Sequence, residues 1–263
     1  MTAELIARES EVFLLDMDGT IYFDDSPIGD MAETLQALRE AGKRLVYFTN
    51  NSSKTPDEYE KKLRRIGLWQ SGDMVYTSAM ATAEYLREFH AGKTAYVVAR
   101  DEVREEFKEY GIPLVEENPD ICVLAYDTTL TFEKLRKINK AIVNGALYVA
   151  THPDDVCPSK DVFPPDVGSF IALLKTSSGR EPDVICGKPY TVMGDCIKRK
   201  MGTDGNRIVM VGDRLHTDIR FGVNNGFHTL LVMSGETTEA VLAASSDMPE
   251  AVLPSLNDIV RYL

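Results

Sequence analysis

The sequence predicts an α/β protein: a parallel-sheet core interrupted by a second, inserted α/β unit. Three observations carry this expectation. Short apolar runs rich in β-branched and aromatic residues alternate with segments whose apolar residues recur at helical spacing, the pattern of βαβ units. The helical segments stop at glycines, where a C-terminal cap is expected. A long middle stretch then repeats the alternation before the last third returns to strands with sharply polar ends.

In order, "EVFLLD" (11–16) reads as a strand, and "DMAETLQALREAG" (30–42) as a helix with Met31, Leu35 and Leu38 on one face and Gly42 as its stop. "RLVYFTN" (44–50) is a second strand. "TPDEYEKKLRRIG" (55–67) is a helix with Thr55 as N-cap, Pro56 in its first turn and Gly67 at its end. "MVYT" (74–77) follows as a strand. From about Ala81 to Ile185, "TAYVVA", "DICVLAY" and "ALYVATH" read as strands, with "EEFKEYG" and "TFEKLRKINKAIVNG" among the helices. "RIVMVGDRLHTDI" and "HTLLVMSGETT" bring back the core. The expected division is therefore 1–80 for the first part of the core, 81–185 for the inserted unit and 186–263 for the rest of the core. No repeat of fixed period and no low-complexity segment interrupts it.

The 263 residues are 44% hydrophobic and 27% charged, an ordinary globular composition. A formal net charge of -12 argues against a nucleic-acid surface or a polybasic membrane patch, because both need clustered cations. No window approaches a membrane span and the N-terminus has no long apolar region, so a cytoplasmic location is expected. Cys122, Cys157, Cys186 and Cys196 show no C-x-x-C pairing and read as buried free thiols. Trp69, the single tryptophan, reads as an interface residue or a core anchor, with core packing favoured.

Four polar stretches carry the chemistry, each where a strand ends or a helix starts. In parallel α/β sheets the strand C-termini share one edge, so such residues converge. "VFLLDMDGT" sets Asp16 and Asp18 one residue apart at the end of a core strand, facing one spot if the chain stays extended. Two like charges so placed call for a cation, a shared proton or a substrate. Asp16 suits a carboxylate nucleophile attacking phosphorus. Asp18 suits the acid that protonates a leaving alcohol and then deprotonates water. Gly19 permits a sharp turn and Thr20 anchors it. "YFTNNSSKT" offers Thr49 and Asn50 as neutral donors to a phosphate oxygen, and equally reads as turn chemistry. "CGKPY" places Lys188 just before Pro189, at an expected helix mouth, where it would neutralise phosphate. "IVMVGDRLHTDI" ends a strand at Asp213, with Asp218 close behind. These acids with a phosphate dianion far outweigh one lysine, which favours Mg²⁺ held by Asp16 and Asp213. Asp218 either binds the ion directly or orients a water and Lys188, and His216 is expected to face solvent or pack locally.

With all four stretches in this order, the sequence resembles the haloacid dehalogenase superfamily of phosphatases. "DMDGT", "TNN", "GKP" and "GDRLHTD" look like its four motifs. The long insertion, with "ATHPD", "GREPDVICGKP" and "GETT", looks like the NagD-type and 4-nitrophenyl phosphatase subfamily with a large α/β cap. The resemblance implies a Rossmann-like parallel-sheet core with an inserted α/β cap domain. It implies Asp16 as nucleophile, Asp18 as general acid/base, Thr49 and Lys188 on the phosphate, and Mg²⁺ on the Asp16 carboxylate, the Asp18 carbonyl and Asp213, supported by Asp218. Because dehalogenating relatives lack the second aspartate, halide chemistry is disfavoured.

The implied activity is Mg²⁺-dependent hydrolysis of a small phosphorylated metabolite (a sugar, nucleotide or triose/glycol phosphate), with 4-nitrophenyl phosphate as an artificial substrate. Within the cap, "THPDDVCPSK" and "FPPDVGSF" read as loops, and His152, Asp154, Asp166 and Ser169 are candidates for leaving-group contacts, with capping and turn formation as the alternative. A phosphotransferase or mutase would keep every motif and pass the phosphoryl group to another hydroxyl. A phosphometabolite-binding regulatory module would gain nothing from the Asp16–Asp18 pair. A homodimer is the implied assembly.

Overall fold

The computed structural model describes residues 2–158 and 162–263, so Ser159 and Lys160 of the first expected cap loop lie outside the described residues. The chain divides into two compact units, one of Met1–Thr49, Pro56–Tyr76 and Ile197–Leu263, the other of Asn50–Thr55 and Thr77–Cys196. Strands are numbered along the chain.

In the first unit a sheet is formed by β1 (Val12–Leu15), β4 (Arg44–Thr49), β5 (Met74–Thr77), β10 (Ile208–Gly212), β11 (His228–Val232) and β12 (Ala251–Leu253), in the order β12-β11-β10-β1-β4-β5. β1 pairs in parallel with β4 on one side and β10 on the other, and β10, β11 and β12 continue in parallel. β2 (Tyr22–Phe23) and β3 (Ser26–Pro27) form a small antiparallel hairpin just after β1. β1, β10 and β11 are buried throughout, which is why they read as unbroken apolar runs. One core gathers Phe13, Leu15, Tyr47, Val209 and Val211 of the sheet with Met31, Leu35 and Leu38 of the helix Met31–Glu40 and Leu63 of the helix Pro56–Arg65. Trp69 is partly buried against this core, stacked on Tyr47 at 5.9 Å between ring centres.

The topology fixes where chemistry can sit. The chain passes from β1 to β4 on one side and returns later to β10 on the other, the kind of reversal at whose strand carboxyl ends open α/β sheets bind ligands. Asp16 follows the last residue of β1, Thr49 is the last residue of β4, and Asp213 follows the last residue of β10.

The second unit has its own sheet, β6 (Ala95–Val98), β7 (Ile121–Leu124), β8 (Leu147–Ala150) and β9 (Val184–Ile185), parallel and in sequence order. Alternate residues face opposite sides. Ala95, Val97, Ile121 and Val123 meet helices Ser78–Phe89 and Asp101–Glu109, while Tyr96, Val98, Cys122 and Leu124 meet Phe132–Val143 and Val167–Ser178.

Two sequence expectations need correction here. Half of "FPPDVGSF" is helix rather than loop: the helix starts at Val167, whose N–H the Asp166 carboxylate accepts at 2.6 Å, and an aspartate N-cap after two prolines is a start signal. Helix Thr191–Met201 starts after Pro189, so Lys188 is not at its mouth. The Tyr190 N–H bonds to the Gly187 carbonyl at 3.0 Å and closes a turn over Lys188 and Pro189 instead. The four cysteines are free; Cys122, Cys186 and Cys196 are buried and Cys157 is half-buried. Among the described residues no helix is long and apolar enough to cross a membrane.

Candidate active site

Three carboxylates of the first unit converge. Asp16, Asp213 and Asp218 each present an oxygen within 4.8 Å of the others. Asp213 and Asp218 are 2% and 1% exposed, while Asp16 is half-buried. β1 ends at Leu15 and the chain then turns, with the Thr20 and Ile21 N–H groups both on the Met17 carbonyl. The trio therefore forms without the Asp18 carboxylate, which is exposed in that turn. Asp218 is brought back by one turn of π-helix over Leu215–Ile219, and its carboxylate accepts the Arg214 N–H at 3.2 Å. His216 faces solvent.

Asp213 is held on all sides. Oδ1 accepts the Thr20 hydroxyl at 3.2 Å and Oδ2 the Glu236 N–H at 2.7 Å, while the Asp213 carbonyl accepts the Thr237 hydroxyl at 2.6 Å. The Ser234 hydroxyl donates to the Gly19 carbonyl at 2.8 Å and ties the segment after β11 to the turn after β1. Glycine clears the space: a Cβ at Gly19 would lie 2.6 Å from Asp213 Oδ2, one at Gly235 2.0 Å from the same atom, and one at Gly212 2.3 Å from the Asp218 carboxyl carbon. Gly19 also has φ +85°, a conformation side chains disfavour.

Burial, and then the Asp16 charge, push the Asp213 carboxyl up to about 6 even though the Glu236 N–H, Arg214 and Thr20 act the other way. Arg214 is mostly buried; Asp16, Asp218, Glu236 and Asp213 outweigh its burial and hold its guanidinium protonated, with Glu236 at 3.0 Å. Oxygen-only ligands in a glycine-lined cradle fit a hard divalent ion such as Mg²⁺. Sequence reasoning left Arg214 without a role and passed over Ser234 and the Glu236 main chain. Their one signal was a polar run, "SGETT", following a core strand.

Thr49 ends β4 in the first unit and is 8% exposed, and the remaining candidates lie in the second unit. Asn50 and Lys188 are 4% and 1% exposed, and the Asn50 side chain bonds the Lys188 main chain and Asp154. His152 is fully buried: Nε2 lies 3.0 Å from Asp166 Oδ1, and Nδ1 3.0 Å from the Thr151 hydroxyl. Burial pulls the imidazole down, but the hydrogen bond to Asp166 and the charges of Asp166 and Asp154 outweigh it and, against Lys188, hold it above its ordinary range. Ser169 is half-buried and donates to the Asp155 carbonyl at 2.7 Å.

Comparison with known proteins identifies the family. Residues 13–113 match a family model described as haloacid dehalogenase-like hydrolase, and residues 185–259 a second one described as HAD-hydrolase-like. A 5'-nucleotidase, YutF, of Bacillus subtilis is 32% identical over 95% of this chain and 98% of its own. An acid sugar phosphatase of Staphylococcus epidermidis is 32% identical over 97% of this chain and 99% of its own. The solved structure of a 4-nitrophenylphosphatase from Thermotoga maritima superposes with a TM-score of 0.93 at 41% identity, covering 97% of this chain and 98% of that one.

Proposed function

We infer the reaction from a settled premise: the chain belongs to the haloacid dehalogenase-like hydrolases and is a phosphatase of that family. The proposal is Mg²⁺-dependent hydrolysis of a small phosphomonoester through an aspartyl-phosphate. The observation that carries it is the convergence of Asp16, Asp213 and Asp218, where burial and then the Asp16 charge push the Asp213 carboxyl up to about 6.

Asp213 and the Asp16 carboxylate would hold the ion, with the Asp18 carbonyl, and Asp218 supports them. A bound divalent cation supplies positive charge against the phosphate oxygens during in-line attack. An Asp16 oxygen forms the new bond to phosphorus as the bond to the leaving oxygen breaks, and Asp18, protonated, gives its proton to that oxygen. Asp18 then takes a proton from water, whose oxygen attacks the same phosphorus. Phosphate leaves and the Asp16 carboxylate is restored. Thr49, Lys188 and the Asn50 main-chain N–H hold the phosphate.

The second unit acts as the cap that chooses the leaving group. Of the four cap candidates Asp154 and Ser169 are half-buried and His152 and Asp166 form a buried pair, which leaves Asp154 and Ser169 for leaving-group contacts. Names among the relatives, a 5'-nucleotidase, an acid sugar phosphatase and a 4-nitrophenylphosphatase, support nucleotide and sugar monophosphates as the substrate class. The test is phosphate release from 4-nitrophenyl phosphate and a panel of sugar, nucleotide and triose phosphates, with Mg²⁺ or EDTA, in wild type and Asp16→Asn. Metal-dependent release that Asp16→Asn abolishes is the expected result. Release that survives the substitution would remove Asp16 as nucleophile.

A further inference from the structure

Both amide donors of Asn50 are taken, so its side chain has none to offer a phosphate oxygen. Its Oδ1 accepts the Lys188 N–H at 2.8 Å, and its Nδ2 donates to the Lys188 carbonyl at 2.9 Å and to Asp154 Oδ1 at 3.0 Å. An amide that meets both main-chain groups of one residue grips it as a neighbouring strand would. Because Oδ1 only accepts and Nδ2 only donates, these partners also fix which way the amide points. An Asn50 side chain aimed at phosphate would have to abandon a buried carbonyl and a half-buried carboxylate, and buried polar groups are costly to leave unpaired.

The grip is braced from behind. The Asn50 carbonyl accepts the Ser78 hydroxyl, and the Ser78 oxygen lies 3.4 Å from Nδ1 of His152, whose other nitrogen is on Asp166. Ser52 Oγ, two residues beyond Asn50, is 2.9 Å from the Thr151 hydroxyl and accepts the Tyr126 N–H at 2.9 Å. Gly187 presses the strand before Lys188 against the same groups: a Cβ there would lie 2.6 Å from Asn50 Oδ1, 2.7 Å from the Thr151 carbonyl and 2.9 Å from the His152 Cβ. Lys188 is 1% exposed, and both polar groups of its main chain are held by one amide, so the point from which its side chain starts is fixed there.

We propose that Asn50 is a positioning residue: its side chain acts on the phosphate only through Lys188, whose main chain it clamps, with Ser78 and the His152–Asp166 pair holding the clamp in register. This rests on the reading of Lys188 as the phosphate-binding cation.

A double-mutant cycle on the full chain in Mg²⁺ separates the two ideas, with inorganic phosphate as the probe and its Kd read by calorimetry. Lys188→Ala is expected to weaken phosphate about tenfold or more, the loss of one charge-assisted contact. Asn50→Ala is expected to weaken it by a similar factor in the wild-type background and by less than about twofold in the Lys188→Ala background, the signature of one residue acting through another. Ser78→Ala is expected to move Kd in the same direction by a smaller factor. If Lys188→Ala leaves phosphate binding unchanged, the reading of Lys188 fails. If Lys188→Ala weakens binding but Asn50→Ala has no effect, or multiplies in full with it, the clamp is refuted. Thermal melts accompany each variant, and should Asn50→Ala not fold, Asn50→Asp, which fills the same volume without the two donors, runs the same cycle.

Discussion

Gly235→Ala displaces the proposed metal ligand Asp213 without altering its chemistry, which makes it a sharp test of the acidic trio. The added Cβ would sit 2.0 Å from Asp213 Oδ2, 2.4 Å from Cγ and 2.6 Å from Cβ, whereas ordinary contact begins at 3.4 Å. The carboxylate must retreat by about 1.4 Å, the gap between those two limits. The loop cannot simply yield instead, because the neighbouring Glu236 N–H is bonded to that same oxygen at 2.7 Å and Thr237 to the Asp213 carbonyl. Mg²⁺ demands oxygen at about 2.0–2.1 Å in near-octahedral geometry, so a shift of this size removes Asp213 as a ligand. Mg²⁺ affinity is expected to fall about 100-fold, and overpacking to cost about 1–3 kcal/mol of stability. Calorimetric Mg²⁺ titration measures the first and urea unfolding the second. Gly226→Ala is the control: its φ is +69° with nothing within 4 Å, so it is expected to cost about 1–2 kcal/mol and to leave Mg²⁺ affinity alone. Wild-type Mg²⁺ affinity in Gly235→Ala would refute the assignment of Asp213 as a ligand.

Three further outcomes are expected. Asp18→Asn slows hydrolysis of an alkyl phosphate such as a sugar phosphate by about 10²–10⁴-fold and spares the first step with 4-nitrophenyl phosphate, whose phenolate leaves without a proton; equal losses in single-turnover rates would argue against Asp18 as the acid. His152, held above its ordinary range by Asp166 and Asp154 despite burial and Lys188, contributes stability that is full below an unfolded value of about 6.5 and is lost as pH rises through the higher folded value. His152→Gln therefore lowers the melting temperature more at about pH 5.5 than at about pH 9, and a pH-independent difference counts against a charged pair. Arg39 forks onto Asp73 at 3.0 and 2.7 Å, with side chains 15% and 4% exposed, so Arg39→Ala strands a buried carboxylate and costs about 3–5 kcal/mol in urea unfolding, of which Arg39→Lys recovers only part.

What could be read from sequence tracks the range over which each interaction acts. Buried parallel strands give unbroken apolar runs, so β1, β4 and β10 and the polar residues at their ends were legible, and parallel topology alone placed Asp16, Thr49 and Asp213 on one edge. The two-residue β9 was too short to leave a pattern, and the helix beginning at Val167 was hidden by prolines although its Asp166 cap was in view. Lys188 was expected at a helix mouth, where proline usually opens a helix. What places it is a side-chain amide 138 residues away, and bonds between side chain and distant main chain leave no local signature. The glycines around Asp213 are likewise silent in sequence, since a close approach looks the same as a turn until the partner is seen.

The trio also has a thermodynamic consequence that separates binding from folding. An Asp213 carboxyl raised from 3.8 to about 6 binds its proton more tightly folded than unfolded. In the metal-free protein its contribution is therefore favourable below pH 3.8 and is lost as pH rises through about 6, leaving a penalty of about 3 kcal/mol at neutral pH. Asp213→Asn removes the charge and keeps the shape: one amide oxygen can still accept the Glu236 N–H, and the Thr20 hydroxyl can turn to accept from the amide. The metal-free variant is expected to melt several degrees above the metal-free wild type at pH 7. Mg²⁺ should reverse the order, stabilising the wild type by mass action and leaving the variant where it was. Differential scanning calorimetry with EDTA and with Mg²⁺ gives both numbers. A metal-free variant that melts below the metal-free wild type would mean that Arg214 and the surrounding donors already neutralise Asp213, and that the trio stands in the fold without needing a cation.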